Sequence, residues 1–293
     1  MLIWIIKKMQ EVGNIIKSLI GILIFSRMKA PIKRPSDIDY KECVVLGNGP
    51  SLKETLRFEK FFDKKTKICV NDFADSDYFF KLKPSFYLLM DPAFWQNDVS
   101  LNFKKNSKRY QEIFERSIDW DLTLILPVGA KKKNTYSDLP KYNKNIKICY
   151  LNTTEIYSNQ KFNFFLYRKN LAMPKMQNVL VAAIFLALNL KYKKIYLLGA
   201  DHSWHESIYV GDDNILYLKN KRFNDDGAKK LSPFYGDIKE TKPYKMGNLL
   251  RDLSRMFSAY MELEEYAKSL KAKIYNASAK TYIDAFERYK IKK

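Results

Sequence analysis

Ten consecutive residues hold much of the reactive chemistry of the chain. An apolar run ends in Leu197-Leu198-Gly199-Ala200 and delivers Asp201, His202, Ser203, Trp204, His205 and Glu206 in immediate succession. Both histidines of the sequence lie in this segment. An imidazole titrates near neutral pH, so His202 or His205 suits general-base work, with Asp201 placed to orient a ring. Residues leaving a strand alternate sides, which sends His202 and Trp204 one way and Ser203 and His205 the other. His202 is nearer to the acid and is the expected base. The plainer alternative is a capped loop whose imidazoles bond to backbone.

A second cluster follows another apolar run: Gly47-Asn48-Gly49-Pro50-Ser51-Leu52-Lys53-Glu54. Gly47 and Gly49 allow a narrow turn and close approach of a ligand to the backbone. Pro50 is preset for a first helical turn, and Ser51 can cap amides there. A helix start of this kind suits a phosphate or a nucleotide. The string is neither a P-loop nor the dinucleotide fingerprint, and a purely structural turn is the competing explanation.

Two more apolar runs end in Asn71-Asp72 and Asp91-Pro92. Amides and carboxylates on one rim can read a ribose or a base. Each residue alone would be an ordinary helix cap. Asp75-Ser76-Asp77 has the spacing of a divalent-ion site, but acids before Tyr78-Phe79-Phe80 are also what a helix start prefers. No metal and no resident cofactor are therefore expected. Asp212-Asp213-Asn214 reads as a turn.

The elements that must position these residues follow from the hydrophobic pattern. Strands are expected at Cys43–Leu46, Lys67–Val70, Ser85–Met90, Leu122–Leu126, Ile146–Leu151, Lys194–Leu198 and Lys273–Tyr275. Helices are expected at Val179–Leu190 and Leu249–Leu270, the latter with a core stripe through Leu249, Leu253, Met256, Phe257, Tyr260, Leu263 and Tyr266. Strands separated by helices predict an α/β, Rossmann-like, mostly parallel sheet with right-handed crossovers. Ligands of such sheets gather at the carboxyl ends of the strands, where the clusters above lie. Lys104–Lys108 and Lys131–Lys133 read as solvated faces or loops, and Phe162–Leu166 as an apolar loop serving an oligomer contact or an acceptor platform.

Residues 1–34 stand apart, with seven Lys/Arg against one acid. Lys7, Lys8, Gln10, Glu11 and Lys17 interrupt the apolar character, which excludes a span of about 20 apolar residues. Ile5, Met9, Val12, Ile15, Ile16, Leu19 and Ile20 recur at helical spacing. A basic amphipathic helix lying on an anionic membrane surface fits this pattern, with packing on a partner protein as the alternative. Pro31 and Pro35 mark a linker, so residues 1–34 are expected to be a separate segment and residues 35–293 the Rossmann-like domain.

The net charge is +20, and 15% of residues are aromatic. That aromatic content is wrong for disorder. The basic residues are dispersed and no nucleic-acid-binding signature appears, so nucleic acid is not an expected partner. Cys43, Cys69 and Cys149 are too few and too scattered for a disulfide framework, and two histidines without a CxxC pair exclude a structural zinc site.

The series GNGPSLKE, ICVND, FYLLMDP and KIYLLGAD resembles one superfamily over Cys43 to Tyr282. It contains the bacterial sialyltransferases that use CMP-N-acetylneuraminate, the motility-accessory-factor glycosyltransferases that modify flagellin, and MptE-like 6-hydroxymethylpterin diphosphokinases. The resemblance implies a GT-A-variant fold in which Asn48, Gly49, Pro50 and Ser51 contact the nucleotide phosphate and ribose and Asn71 the base or sugar. Asp91 stands where the sialyltransferases have a second asparagine, and Asn178 falls near a small hydroxyl residue. Tyr209 has the spacing of a tyrosine that holds the departing phosphate; its usual companion is Ser203 here. The family histidine before the late helix is absent between Lys239 and Arg255, and Met176 stands roughly where the family has an arginine. His202 is then the substitute base.

The function expected is transfer of a nucleotide-activated sugar, of CMP-sialic acid type or another, to a glycan or lipid-linked acceptor on the bacterial surface. The enzyme would sit peripherally at the cytoplasmic face of the inner membrane. The alternative is the pterin diphosphokinase, which would need Mg²⁺ and convergent carboxylates from Asp75, Asp77 and Asp91.

Overall fold

The computed structural model describes residues 2–26, 32–34, 41–218 and 232–292. The linker expected at Pro31 and Pro35, with its domain boundary, lies outside the described residues. The chain opens with helix α1 (Leu2–Phe25). Then β1 (Glu42–Leu46), α2 (Leu52–Leu56), β2 (Thr66–Val70), α3 (Asp77–Leu82) and β3 (Phe86–Leu88) follow in alternation. The pattern continues with α4 (Leu101–Arg116), β4 (Leu122–Pro127), α5 (Leu139–Tyr142) and β5 (Ile146–Leu151). The remainder holds α6 (Gln160–Arg168), α7 (Val179–Asn189), β6 (Lys194–Leu198), β7 (Ile208–Val210), β8 (Leu216–Leu218) and β9 (Ser232–Pro233). It closes with α8 (Met246–Ser269), β10 (Lys273–Asn276) and β11 (Glu287–Arg288).

Eight strands form one sheet in the order β11-β10-β6-β1-β2-β3-β4-β5. Every described pair in it is parallel, as in a Rossmann-like fold. The chain steps outward from β1 to β5, then returns to β6 on the other side of β1. That reversal opens a crevice between the carboxyl ends of β1 and β6, the usual ligand position in open α/β sheets.

Burial on both faces explains why the strands read as unbroken apolar runs. Cys43 and Val45 of β1 face a layer containing α6, α7 and α8, while Val44 and Leu46 face α2, α3, α4 and α5. Helix α7 is apolar on all sides because α8 covers the surface that the sheet leaves open. The α8 stripe expected from spacing is the one buried, with Leu253 and Phe257 at its half-buried edge. Burial pushes the thiols of Cys43 and Cys69 up, which keeps them protonated and inert.

Lys104–Lys108 is a solvated face and not a loop: Lys104, Lys105 and Lys108 are exposed on α4, which buries Ser107, Tyr110 and Phe114 at helical spacing. One loop expectation is corrected. Phe162–Leu166 belongs to α6, where Phe164 and Leu166 enter the core and Phe165 alone of the three stays exposed. β7, β8 and β9 form a separate antiparallel sheet.

Helix α1 docks by one side. Ser18 Oγ accepts from the Tyr157 N–H at 3.0 Å, Ser26 shares a 2.7 Å hydrogen bond with Thr154, and Ile22 meets the core. Met9, Val12, Ile16, Leu19, Ile20, Leu23 and Ile24 remain exposed. Among the described residues, no helix is long and apolar enough to cross a membrane.

Candidate functional site

Two strand ends interlock to build the floor of the site. The Gly47 N–H donates to Leu198 O at 2.9 Å and the Gly49 N–H to Gly199 O at 2.8 Å. A Cβ on Gly47 would lie 2.6 Å from Gly199 O, and one on Gly49 would lie 2.0 Å from Asp201 Oδ2. Gly199 itself has φ +62°, in the left-handed region. The glycines of GNG are therefore required by the contact between β1 and β6.

Asp201 completes this join. Its carboxylate accepts from the Ser51 N–H and from Ser51 Oγ, each at 2.9 Å. Burial raises its pKa, and both Ser51 hydrogen bonds pull it back. The group met by the start of α2 is thus the protein's own Asp201 carboxyl, which takes both the amide and the hydroxyl of Ser51, a residue that the resemblance turned toward the nucleotide.

Above this floor lies an open cleft of about 460 Å³ along the carboxyl rim of the sheet. Its lining brings together Gly47, Asn48, Gly49, Pro50, Asn71, Asp91, Asn178, Asp201 and His202. Ser51 lies beneath, buried against Asp201. Asn48 donates from Nδ2 to Val70 O at 3.0 Å, while its Oδ1 is buried without a partner. Asn71, held at φ +46°, also has a buried Oδ1 without a partner. Such orphan acceptors cost about 1–3 kcal/mol each unless a donor arrives, as a ribose hydroxyl or a base amine would. Asn178 caps α7, accepting from the Leu180 N–H at 2.7 Å.

Asp91 stands at the mouth of the cleft and accepts from the Ala93 N–H at 2.9 Å. The protein around it raises its carboxyl above the ordinary value by desolvation, and the Ala93 bond opposes this. Lys280 is the only lysine or arginine among the described lining residues. Its Nζ meets Glu206 at 2.7 Å, and that contact holds Glu206 below the usual carboxylate range.

His202 also lines the cleft, but not as an Asp201–His202 pair. Its Nε2 is 2.6 Å from the Tyr260 hydroxyl, and its ring packs 4.7 Å from Trp204 and 6.1 Å from Phe257. Burial pushes its pKa down to about 3, so the imidazole is neutral and weakly basic. A base works best with a pKa near the operating pH, so the expected roles of His202 as base and Asp201 as its orienting acid do not fit these contacts. His205 lies outside the cleft lining, exposed, with its ring 4.2 Å from Tyr282. Tyr209 lies outside it too, on β7, where its exposed ring faces Tyr217 at 6.3 Å.

Of the two paired acids, Asp75 is bound to Arg109 at 2.7 Å and Asp77 starts α3 behind the Ser76 cap; neither lines the cleft. Asp213 accepts from the Ile215 N–H at 3.0 Å in a turn, as expected. Lys280, Phe103 and Asn106 are lining residues that the sequence reading missed. Lys280 follows β10, so the rule that pointed to the other strand ends would have reached it. Phe103 and Asn106 come from α4, whose existence the lysine-rich spacing concealed.

No family model matches the chain, and no curated protein matches it. Among solved structures it is similar to the Maf glycosyltransferase from Magnetospirillum magneticum AMB-1, with 14% identity and a TM-score of 0.47. That similarity covers 89% of this chain and 35% of the other, so the chain spans about a third of that protein's length.

Proposed function

We propose that the chain is a glycosyltransferase that takes a sugar from a nucleotide donor. The observation that carries this is the meeting, in one cleft, of the orphan acceptors of Asn48 and Asn71 with the Asp91 carboxylate and the Lys280 ammonium. The two amides suit the hydroxyls and amine of a nucleoside, and Lys280 suits its phosphate. Asp91 takes the proton of an acceptor hydroxyl as that oxygen bonds to the anomeric carbon. The bond from that carbon to the phosphate oxygen breaks, and Lys280 stabilises the departing nucleotide. His202 stays neutral and packs the wall.

The donor is a CMP-sialic acid or another nucleotide-activated sugar, and the acceptor a bacterial surface glycan on a lipid carrier. On this proposal the chain works peripherally at the cytoplasmic face of the inner membrane, where the exposed apolar side of α1 meets anionic lipid. The diphosphokinase alternative is not favoured, because Asp75 and Asp77 do not converge with Asp91.

The test is thermal stabilisation of the full chain by CMP-, UDP- and GDP-sugars, ATP, and ATP with 6-hydroxymethylpterin and Mg²⁺. A ligand at about 100 times its Kd adds about 2.7 kcal/mol. Stabilisation by one class of nucleotide sugar supports the proposal. Stabilisation by the pterin pair alone, or by nothing, contradicts it.

A further inference from the structure

A second cleft, of about 850 Å³, lies where α1 crosses the ends of β4 and β5. One wall is apolar, from Ile24 and Phe25 of α1. The other carries Lys131 and Lys132 from the turn after β4, and Thr153 from the loop after β5. Helix α1 is fixed across this opening by the hydrogen bond between the Ser26 and Thr154 hydroxyls, with Gly21 beside Thr154.

The charge in this cleft is one-sided. Lys131 and Lys132 are exposed and no described acid pairs with them. Glu155, the acid in the lining, is already met by Lys175 at 3.2 Å and by the Tyr157 hydroxyl at 2.6 Å. Two free cations facing an apolar helix end form a site with a polar head position and a hydrocarbon position. The same wall continues into the exposed Leu23 and Ile20 of α1.

The position is equally informative. β3, which delivers Asp91, pairs with β4, so both clefts open on the same carboxyl rim. Trp95 lies between them. Its Nε1 donates to Met90 O at 3.2 Å beside Asp91, and a Cβ on Gly129 of the second cleft would lie 3.7 Å from Trp95 Cη2.

We propose that the second cleft binds the phosphate-bearing head of an amphiphile, with its hydrocarbon tail along Ile24 and Phe25. Resting on the transferase proposal above, this amphiphile is the carrier whose sugar is presented past Trp95 to Asp91. Lys131 and Lys132 hold the phosphate, Thr153 adds a hydroxyl, and the tail leaves along the exposed side of α1.

The experiment measures binding of dodecyl phosphate to the full chain below its micelle concentration, with no sugar donor present. Inorganic phosphate and dodecanol serve as half-ligands. The expected result is binding at least tenfold tighter than either half-ligand, with at least tenfold loss in Lys131→Glu/Lys132→Glu and in Ile24→Asp. These side chains are exposed, and urea unfolding at wild-type stability confirms that the variants fold. Undiminished binding by the double lysine variant, or equal affinity for inorganic phosphate, overturns the site. Binding to phosphatidylglycerol vesicles without binding to monomeric dodecyl phosphate also overturns it, in favour of a bilayer contact. Failure here leaves nucleotide binding in the first cleft standing. Failure of nucleotide binding with dodecyl phosphate still bound removes the transferase proposal but not the site.

Discussion

Ser51 and Asp201, one at each of two adjacent strand ends, are joined by a backbone and a side-chain hydrogen bond of 2.9 Å each. The pair ties the first turn of α2 to the end of β6 and fixes the crevice between them. Asp201 is therefore a positioning residue. Its removal strands a buried amide and hydroxyl, so Asp201→Ala is expected to cost about 2–4 kcal/mol in urea unfolding. Asp201→Asn keeps one acceptor and is expected to cost less than half of that. Wild-type stability in Asp201→Ala would show that the pair is not structural.

The amide acceptors are expected to act on ligand affinity. Asn48→Ala and Asn71→Gly should each weaken nucleotide binding about tenfold in titration calorimetry, near 1.4 kcal/mol for one hydrogen bond to a ligand. Glycine is the substitute at residue 71 because φ is +46° there. Unchanged affinity in both variants removes these residues from the nucleotide site.

His202 gives a pH signature. Its folded pKa is pushed down to about 3 by burial, against an ordinary 6.5. Above pH 6.5 both folded and unfolded chains hold it neutral and stability is unaffected. As pH falls below 6.5 the unfolded chain takes up the proton and the folded one does not, so stability falls, by about 2 kcal/mol at pH 5. His202→Gln should lose this slope between pH 6.5 and 5 when urea unfolding is followed at both values. An equal slope in the variant contradicts the buried neutral imidazole.

Helix α1 is expected to mediate vesicle binding. Leu19→Glu/Leu23→Glu places two acids on its exposed apolar side, where the native residues are 44% and 83% exposed. The double variant should pellet at least tenfold less with phosphatidylglycerol vesicles, and wild-type binding should weaken with salt. Equal pelleting of both proteins sinks the membrane-surface role.

The sheet was legible because its strands are buried on both faces: ECVVL and KIYLL can be little else. The rim positions of Asn48, Asn71, Asp91 and Asp201 followed from those strand ends. The partners did not. Adjacency in sequence paired Asp201 with His202, whereas in space the acid turns to Ser51 and the imidazole to Tyr260. His202 leaves the strand at φ +53°, a left-handed bend that the sequence does not announce. Helix α4 was hidden because Lys104, Lys105, Lys108 and Arg109 dominate the composition ahead of its buried Tyr110 and Phe114. With it went Phe103 and Asn106, which reach the cleft only because the helix exists.

The most direct test is single-turnover transfer from the nucleotide sugar that stabilises the chain, compared between wild type and Asp91→Asn. Loss of a general base lowers the rate about 10²–10⁴-fold. The expected result is a loss of that size in Asp91→Asn with nucleotide affinity within about twofold of wild type, while His202→Gln stays within tenfold of the wild-type rate. An Asp91→Asn enzyme at near-normal rate, or one that fails only because it no longer binds nucleotide, contradicts the account.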